Sequence, residues 1–225
     1  MASTSEIGHA KNVANFQDLI EFVTAYGATY NPSKNSLKLP QLIALKASAD
    51  ATLADVITKN TNYNNKVNER ITAFSGLKSL STRLVNALQT TDATTETIGN
   101  AKTFNRKMQG KKASSSQTPT DPNTPAPNTI STSQQSYDQL IQHLAGLTSI
   151  LEAETSYTPN ETDLQVATLQ TKIADLTAKN TAVATAYASI SNSRIARNET
   201  LYSSSTGLVE TANEVKKYIK SVFGA

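Results

Sequence analysis

Two histidines are the residues whose chemistry would be easiest to recognise in this sequence, and neither has the neighbours that a reactive site needs. His143 has no Asp, Glu or second His three or four positions away, the spacing at which one helix face presents two metal ligands. His9 lies in a polar N-terminal stretch. Glu152 and Glu154 are two positions apart and would point to different helix faces. The chain also has no cysteine and no phosphate-binding or nucleophile motif, so we predict no catalytic residue, metal site or cofactor, and a protein that is not an enzyme.

The densest run of charge is basic. Within it, Lys102 and Arg106 would share a helix face, and Phe104 and Met108 would make the opposite side apolar. Such a face suits a phosphate backbone or an acidic lipid surface. It is also typical of a solvated helix C-terminus, where cations face the negative end of the macrodipole. We favour this second interpretation because no aromatic residues are placed to stack on bases. The candidate interaction residues are Lys102, Arg106, Lys107, Lys111 and Lys112.

Two arginines, Arg70 and Arg194, fall in the apolar rows of long predicted helices. A buried arginine needs carboxylate or carbonyl partners, so this pair could form polar contacts that set the register where helices cross. Alternatively, each aliphatic stem lies on the core edge while the guanidinium reaches water. The sequence favours neither interpretation.

The same arginines belong to an internal repeat. Asn68-Glu69-Arg70-Ile71 recurs 124 positions later as Asn192-Ser193-Arg194-Ile195. Tyr30-Asn31-Pro32 is echoed 127 positions later by Tyr157-Thr158-Pro159, and a third anchor precedes this turn in both copies. Because the anchors keep the same order, we predict an internal tandem duplication of one helical unit.

The chain is divided by a segment of unusual composition. Residues 113–136 contain four of the seven prolines and a single charge, Asp121. This segment cannot bury enough apolar surface to offset the entropy of ordering, so we predict a disordered Pro/Ser/Thr-rich linker. Residues 1–112 and 137–225 would then be the first and second helical repeat units, which could pack as one bundle.

Outside this linker, apolar residues recur at steps of three and four, as expected for helices. A strict seven-residue spacing from Leu42 to Leu84 predicts one long helix, or two helices broken near Gly76. Small residues occupy many apolar positions and bury little area, which favours an elongated shape. The predicted fold is all-α: an elongated antiparallel helical bundle with long, coiled-coil-like helices.

Charge and hydropathy constrain the location and the partners. The net charge of +3 is small for a nucleic-acid-binding protein. The first ten residues lack the basic and apolar regions of a secretory signal, and no stretch approaches the roughly 20 apolar residues of a membrane span. We therefore expect a cytoplasmic protein with no small-molecule substrate, for which nucleic acid and membrane are disfavoured partners.

Four stretches carry a resemblance to known sequences. They are Gly8-His9-Ala10-Lys11-Asn12-Val13-Ala14-Asn15-Phe16, Tyr26-Gly27-Ala28-Thr29-Tyr30-Asn31-Pro32-Ser33-Lys34, Phe104-Asn105-Arg106-Lys107 and the region from Thr206-Gly207-Leu208-Val209 through Lys216-Lys217-Tyr218 to Gly224. Together they resemble a family of uncharacterised all-helical proteins of Bacteroidota. The resemblance covers nearly the whole chain outside the linker and implies no activity, because none is assigned to that family.

These patterns lead to one functional hypothesis with two alternatives. We expect a non-enzymatic structural, scaffold or assembly protein that acts through helix–helix interaction with a protein partner or with itself. The first alternative is a membrane-active, pore-forming helical protein, although the chain lacks the contiguous apolar hairpin that such proteins insert. The second is a nucleic-acid-binding protein that uses the basic run at residues 102–112.

Overall fold

The computed structural model describes residues 8–110 and 134–224, and all regular secondary structure in these ranges is helical. This confirms the predicted all-α fold. Most of the predicted linker, together with Lys111 and Lys112, lies outside the described residues. The α-helices are α1 (His9–Ala25), α2 (Leu39–Phe74), α3 (Leu77–Leu88), α4 (Thr95–Gln109), α5 (Tyr137–Ala153), α6 (Val166–Tyr202) and α7 (Leu208–Phe223); short 3-10 helices occur at Gly27–Thr29, Asn35–Leu37 and Thr162–Leu164.

Local sequence determines where several of these helices end. Gly76 has φ +78°, a left-handed conformation that separates α2 from α3, so of the two predicted alternatives the chain adopts the two helices broken near this residue. Gly110, with φ +75°, ends α4 in the same conformation. At the start of α5 the Ser136 hydroxyl accepts a hydrogen bond from the Gln139 N–H at 3.2 Å.

The chain forms two compact units. The terminal unit consists of residues 1–65 and 185–225, and the central unit consists of residues 66–184. Both divisions fall inside long helices, at Asn65 in α2 and at Ala184 in α6. Each compact unit therefore combines residues from both predicted repeat units, and its limits do not coincide with those of the repeats.

The terminal unit is built around α1, α7 and parts of the two long helices. Here α2 and α6 run antiparallel. The Ser193 hydroxyl donates to the Asp55 carboxylate at 2.6 Å, and eight residues further along α2 Tyr63 packs on Tyr187, which lies earlier in α6 than Ser193. Buried residues from these four helices and from the 3-10 helix Asn35–Leu37 form one apolar core: Val13, Phe16, Leu19, Ile20, Val23, Leu37, Leu42, Ala49, Leu201, Leu208 and Val215.

The central unit packs α3, α4 and α5 against the remaining parts of α2 and α6. The ring of Phe74 meets Tyr137 edge-on, with 4.7 Å between ring centroids. At Gly146 a Cβ atom would lie 2.5 Å from the ring of Phe104, so this glycine lets α4 and α5 approach closely. Fully buried residues of this core include Leu84, Leu88, Met108, Leu144, Leu147, Leu169 and Leu176.

Candidate functional site

The two Tyr-x-Pro turns have the same internal hydrogen bond. The Tyr30 hydroxyl donates to the Leu37 carbonyl at 2.7 Å, and the Tyr157 hydroxyl donates to the Leu164 carbonyl at 3.0 Å. Burial is the main factor that raises the pKa of both tyrosines to about 12. Both hydroxyls therefore remain protonated donors near neutral pH and hold each turn closed in front of the long helix that follows.

Each turn is also joined to a neighbouring helix by an ion pair. In the terminal unit, Lys34 Nζ lies 2.6 Å from a Glu214 carboxylate oxygen on α7. In the central unit, Arg83 on α3 forms a two-pronged pair with Asp163 and holds the pKa of that carboxyl below its usual range. The turn contributes the cation in one unit and the anion in the other. Sequence analysis missed both pairs because their members are 180 and 80 positions apart.

Arg70 lies in a polar layer of the central unit. Its guanidinium donates to the Asn180 side-chain carbonyl at 3.0 Å, and Cζ lies 4.0 Å from the centroid of the Tyr137 ring. Asn180 in turn donates to Asp138 at 2.7 Å. Of the two interpretations left open by the sequence, these contacts match polar pairing between helices for Arg70.

A second set of charges lies next to Arg70 in the central unit. The Glu69 carboxylate lies 2.8 Å from Lys66 Nζ and 3.0 Å from Lys179 Nζ, so it joins α2 to α6. Hydrogen bonds from the two lysines lower the pKa of Glu69. Together with Arg70, this three-charge group places polar contacts at one level of the α2–α6 pair.

Arg194 has a different environment from Arg70, because its side chain is exposed on α6. Burial along α6 instead follows that along α2 at a spacing of 127, since Leu42 and Leu169 are both fully buried, as are Ala49 and Leu176. The spacing of 124 that linked the two arginines in the sequence thus does not place them on equivalent faces.

The described part of the basic run lies on the outside of α4. Lys102, Arg106 and Lys107 are exposed, whereas Phe104 and Met108 pack towards the core of the central unit, as their spacing predicted. Arg106 and Lys107 occupy the last turn of α4, where cations interact favourably with the negative helix end. Lys107 also lies over the Phe104 ring, 5.6 Å from its centroid.

The two histidines are far apart in the chain and have different partners. His9 Nδ1 hydrogen-bonds the Tyr202 hydroxyl at 2.7 Å in the terminal unit. His143 is only 5% exposed, and its Nε2 atom has no hydrogen-bond partner among the described residues. Burial, with a smaller contribution from Lys107, lowers the pKa of His143, so the ring is neutral near pH 7. Within residues 8–110 and 134–224, no group of three or more acidic, histidine or cysteine side chains could hold a metal ion.

The surface clefts in the described ranges include three in which the residues discussed above take part. The first, of about 350 Å³, lies between the turn at Tyr157 and the end of α3 near Thr91. The second, of about 530 Å³, contains the Arg83–Asp163 pair together with Lys172. A third, of about 290 Å³, borders the turn at Tyr30. All three of these clefts therefore adjoin the repeated turns.

Comparison with known proteins identified no relative of this chain: no family model, curated protein or solved structure matches it. In the part of the chain that the structure describes, no helix combines the length and apolar character needed to cross a membrane.

Proposed function

We propose that this protein is a non-enzymatic scaffold or assembly protein that works through helix–helix interaction, and that its partner is a second copy of the same chain. The observation that carries the proposal is a pair of exposed isoleucines on one face of α2, with Asp50 midway between them. Ile43 and Ile57 are 52% and 68% exposed, although both are large aliphatic residues. They lie fourteen positions apart, which is two heptads and therefore one helix face.

The charges beside these isoleucines suit pairing with an identical helix. Lys46 lies 2.7 Å from Asp50, and Asp55 lies 3.9 Å from Lys59, so each of these cations has an anion four residues away on the same stretch of α2. In a symmetric dimer each patch contacts its own copy, which requires such self-complementary charge. Placed antiparallel with Ile57 over Ile57 of the second copy, two copies would set Lys59 of each against Asp55 of the other.

The proposal includes an internal duplication as the origin of the two turns. The backbone angles before each 3-10 helix are φ −69° and ψ 119° at Lys34, and φ −69° and ψ 115° at Glu161. These positions are 127 apart, as are the two tyrosine–carbonyl hydrogen bonds. Similar torsions, bonds and buried leucines at one constant spacing support descent from one helical unit.

Substitution of Ile57 tests the proposed self-association. Ile57→Glu places a charge where Ile57 of one copy meets Ile57 of the other and should weaken a dimer at least tenfold, because a buried unpaired carboxylate is strongly unfavourable. The measurement is molar mass by light scattering over a range of protein concentrations, with circular dichroism to check folding. Thr58→Glu is the matched control, because Thr58 is exposed, is next to Ile57 in the chain, and receives the same negative charge in this variant.

The proposal is wrong if the protein remains monomeric at all concentrations, or if Thr58→Glu weakens association as much as Ile57→Glu. Equal association of the parent protein and Ile57→Glu would place any interface on another face.

A further inference from the structure

The cleft beside Tyr157 can be compared with the equivalent turn of the terminal unit. It lies wholly in the central unit and has a volume of about 350 Å³. Its lining includes Tyr157 and Thr158 from the turn, Ala87 from α3, and Asp92 from the segment between α3 and α4. A volume of this size accommodates a single aromatic ring with its substituents. The corresponding turn in the terminal unit shows what such a cleft can hold.

In the terminal unit a phenol ring lies against the turn. Tyr218 on α7 meets Tyr30 edge-on, with 5.2 Å between centroids and an angle of 87° between the rings. The Tyr218 hydroxyl oxygen also accepts a hydrogen bond from the Asn31 backbone N–H at 3.2 Å. The turn therefore recognises a phenol by an aromatic edge and by one backbone donor.

The ion pairs establish which residues of α3 and α7 are equivalent at the two turns. Arg83 pairs with the turn of the central unit, and Glu214, 131 positions later, pairs with the turn of the terminal unit. The next residues, Leu84 and Val215, are both fully buried. The two helices thus present the same positions to their respective turns.

Four residues after Arg83 in α3 is Ala87, and four residues after Glu214 in α7 is Tyr218. Ala87 lines the cleft, which confirms that this position faces the turn. At this position the central unit has the methyl group of Ala87 where the terminal unit has the phenol ring of Tyr218. Thr158, which corresponds to Asn31, has a backbone N–H that donates no hydrogen bond to any atom of residues 8–110 and 134–224.

We propose that the cleft beside Tyr157 is a binding site for a neutral phenol ring, either the side chain of a partner's tyrosine or a free small phenol. The Thr158 N–H donates to the phenol oxygen, as the Asn31 N–H does to Tyr218. The carboxylates of Asp92 and Glu161 line the same cleft and disfavour an anionic ligand such as a phosphorylated phenol. This inference goes beyond the proposed assembly role and does not depend on it.

The test is an NMR titration of the full chain with p-cresol, followed through backbone amide signals. We expect one site with a Kd on the order of 1 mM, as is reasonable for a ligand of this size, and a shift of the Thr158 amide. Toluene, which lacks the hydroxyl, and phenyl phosphate, which is anionic, should each bind at least tenfold more weakly. N-acetyltyrosinamide distinguishes the source: tighter binding than p-cresol indicates a tyrosine side chain, and weaker binding indicates a free phenol.

Two reciprocal substitutions complete the test. Ala87→Tyr fills the cleft and should reduce binding at least tenfold, whereas Tyr218→Ala should open a second site and raise the stoichiometry from about one to about two. Should Ala87→Tyr fail to fold, Ala87→Leu fills the same space with a smaller group. The proposal is overturned if p-cresol binding is undetectable at 20 mM, roughly twenty times the expected Kd, if toluene binds equally well, or if a folded Ala87 variant binds as the parent does.

Discussion

Two buried polar atoms in the central unit, His143 Nε2 and Arg70 Nε, have no hydrogen-bond partner among the described residues. Arg70 offsets this through its contacts with Asn180 and the Tyr137 ring. His143 instead lies between α4 and α5, near the ring of Phe104. A neutral imidazole is tolerated there, but a protonated one would place an uncompensated charge in the core near Lys107.

His143 should therefore make folding stability sensitive to mild acid. Its pKa in the folded state is below the ordinary value of 6.5, so the unfolded chain takes up the proton first as the pH falls. Stability should decrease below about pH 6.5, by at most about 1.4 kcal/mol per pH unit for this one group. His143→Gln should remove most of that slope between pH 6.5 and 5, measured by urea unfolding at each pH.

His9→Gln is the control for this measurement, because His9 is less buried than His143. The carboxyl groups with lowered pKa titrate at lower pH and leave the window from pH 6.5 to 5 to the two histidines, since burial and Arg197 lower the pKa of His9 as well. An unchanged pH dependence in His143→Gln would show that the buried imidazole is not the source.

At the scale of the elements, the two turns have similar backbones but opposite charges. Lys34 pairs with an acid on α7, and Asp163 pairs with a base on α3. If a turn docked on the other equivalent helix, Lys34 would face Arg83 and Asp163 would face Glu214. The arrangement therefore disfavours the exchanged pairing by like-charge repulsion.

Reversal of the terminal-unit pair should measure this contribution. Lys34→Glu should cost less than about 1 kcal/mol of unfolding free energy, because both partners are partly exposed. Adding Glu214→Lys should recover most of the loss, and both effects should shrink in 0.5 M salt. The check is a double-mutant cycle by urea denaturation. Strictly additive effects of the two substitutions would mean that the pair does not interact in solution.

At the scale of the whole molecule, α2 and α6 each contribute to both compact units. A continuous helix transmits order along its length, so the chain should unfold in a single transition. Asn65→Pro removes a helical hydrogen bond at the division within α2 and should lower the unfolding free energy by about 3 kcal/mol. Asn65→Ala, which retains the backbone N–H, should have little effect.

Denaturation followed by circular dichroism and by tyrosine fluorescence provides the measurement. Two separated transitions in the parent protein, or an Asn65→Pro variant as stable as the parent, would contradict coupling through the shared helices.

Much of the helical content was predictable because it is encoded locally. Apolar spacing defined the long helices, and Gly76 marked the break between α2 and α3, since its left-handed conformation is open to glycine at little cost. The repeated Tyr-x-Pro turns were also evident as a sequence pattern. The equivalence of Arg70 and Arg194 was not reliable, because a local match of four residues does not specify which helix face meets the core.

The sequence alone therefore determined the all-α class and the repeated turn, which depend on residues close together in the chain, and left the break near Gly76 as one of two alternatives. Only the tertiary structure decided which helix packs on each turn, because Lys34–Glu214 and Arg83–Asp163 join residues far apart in sequence. The cleft beside Tyr157 depends in the same way on Ala87, seventy positions away. Its shape follows from packing between distant segments, for which periodicity and composition carry no signal.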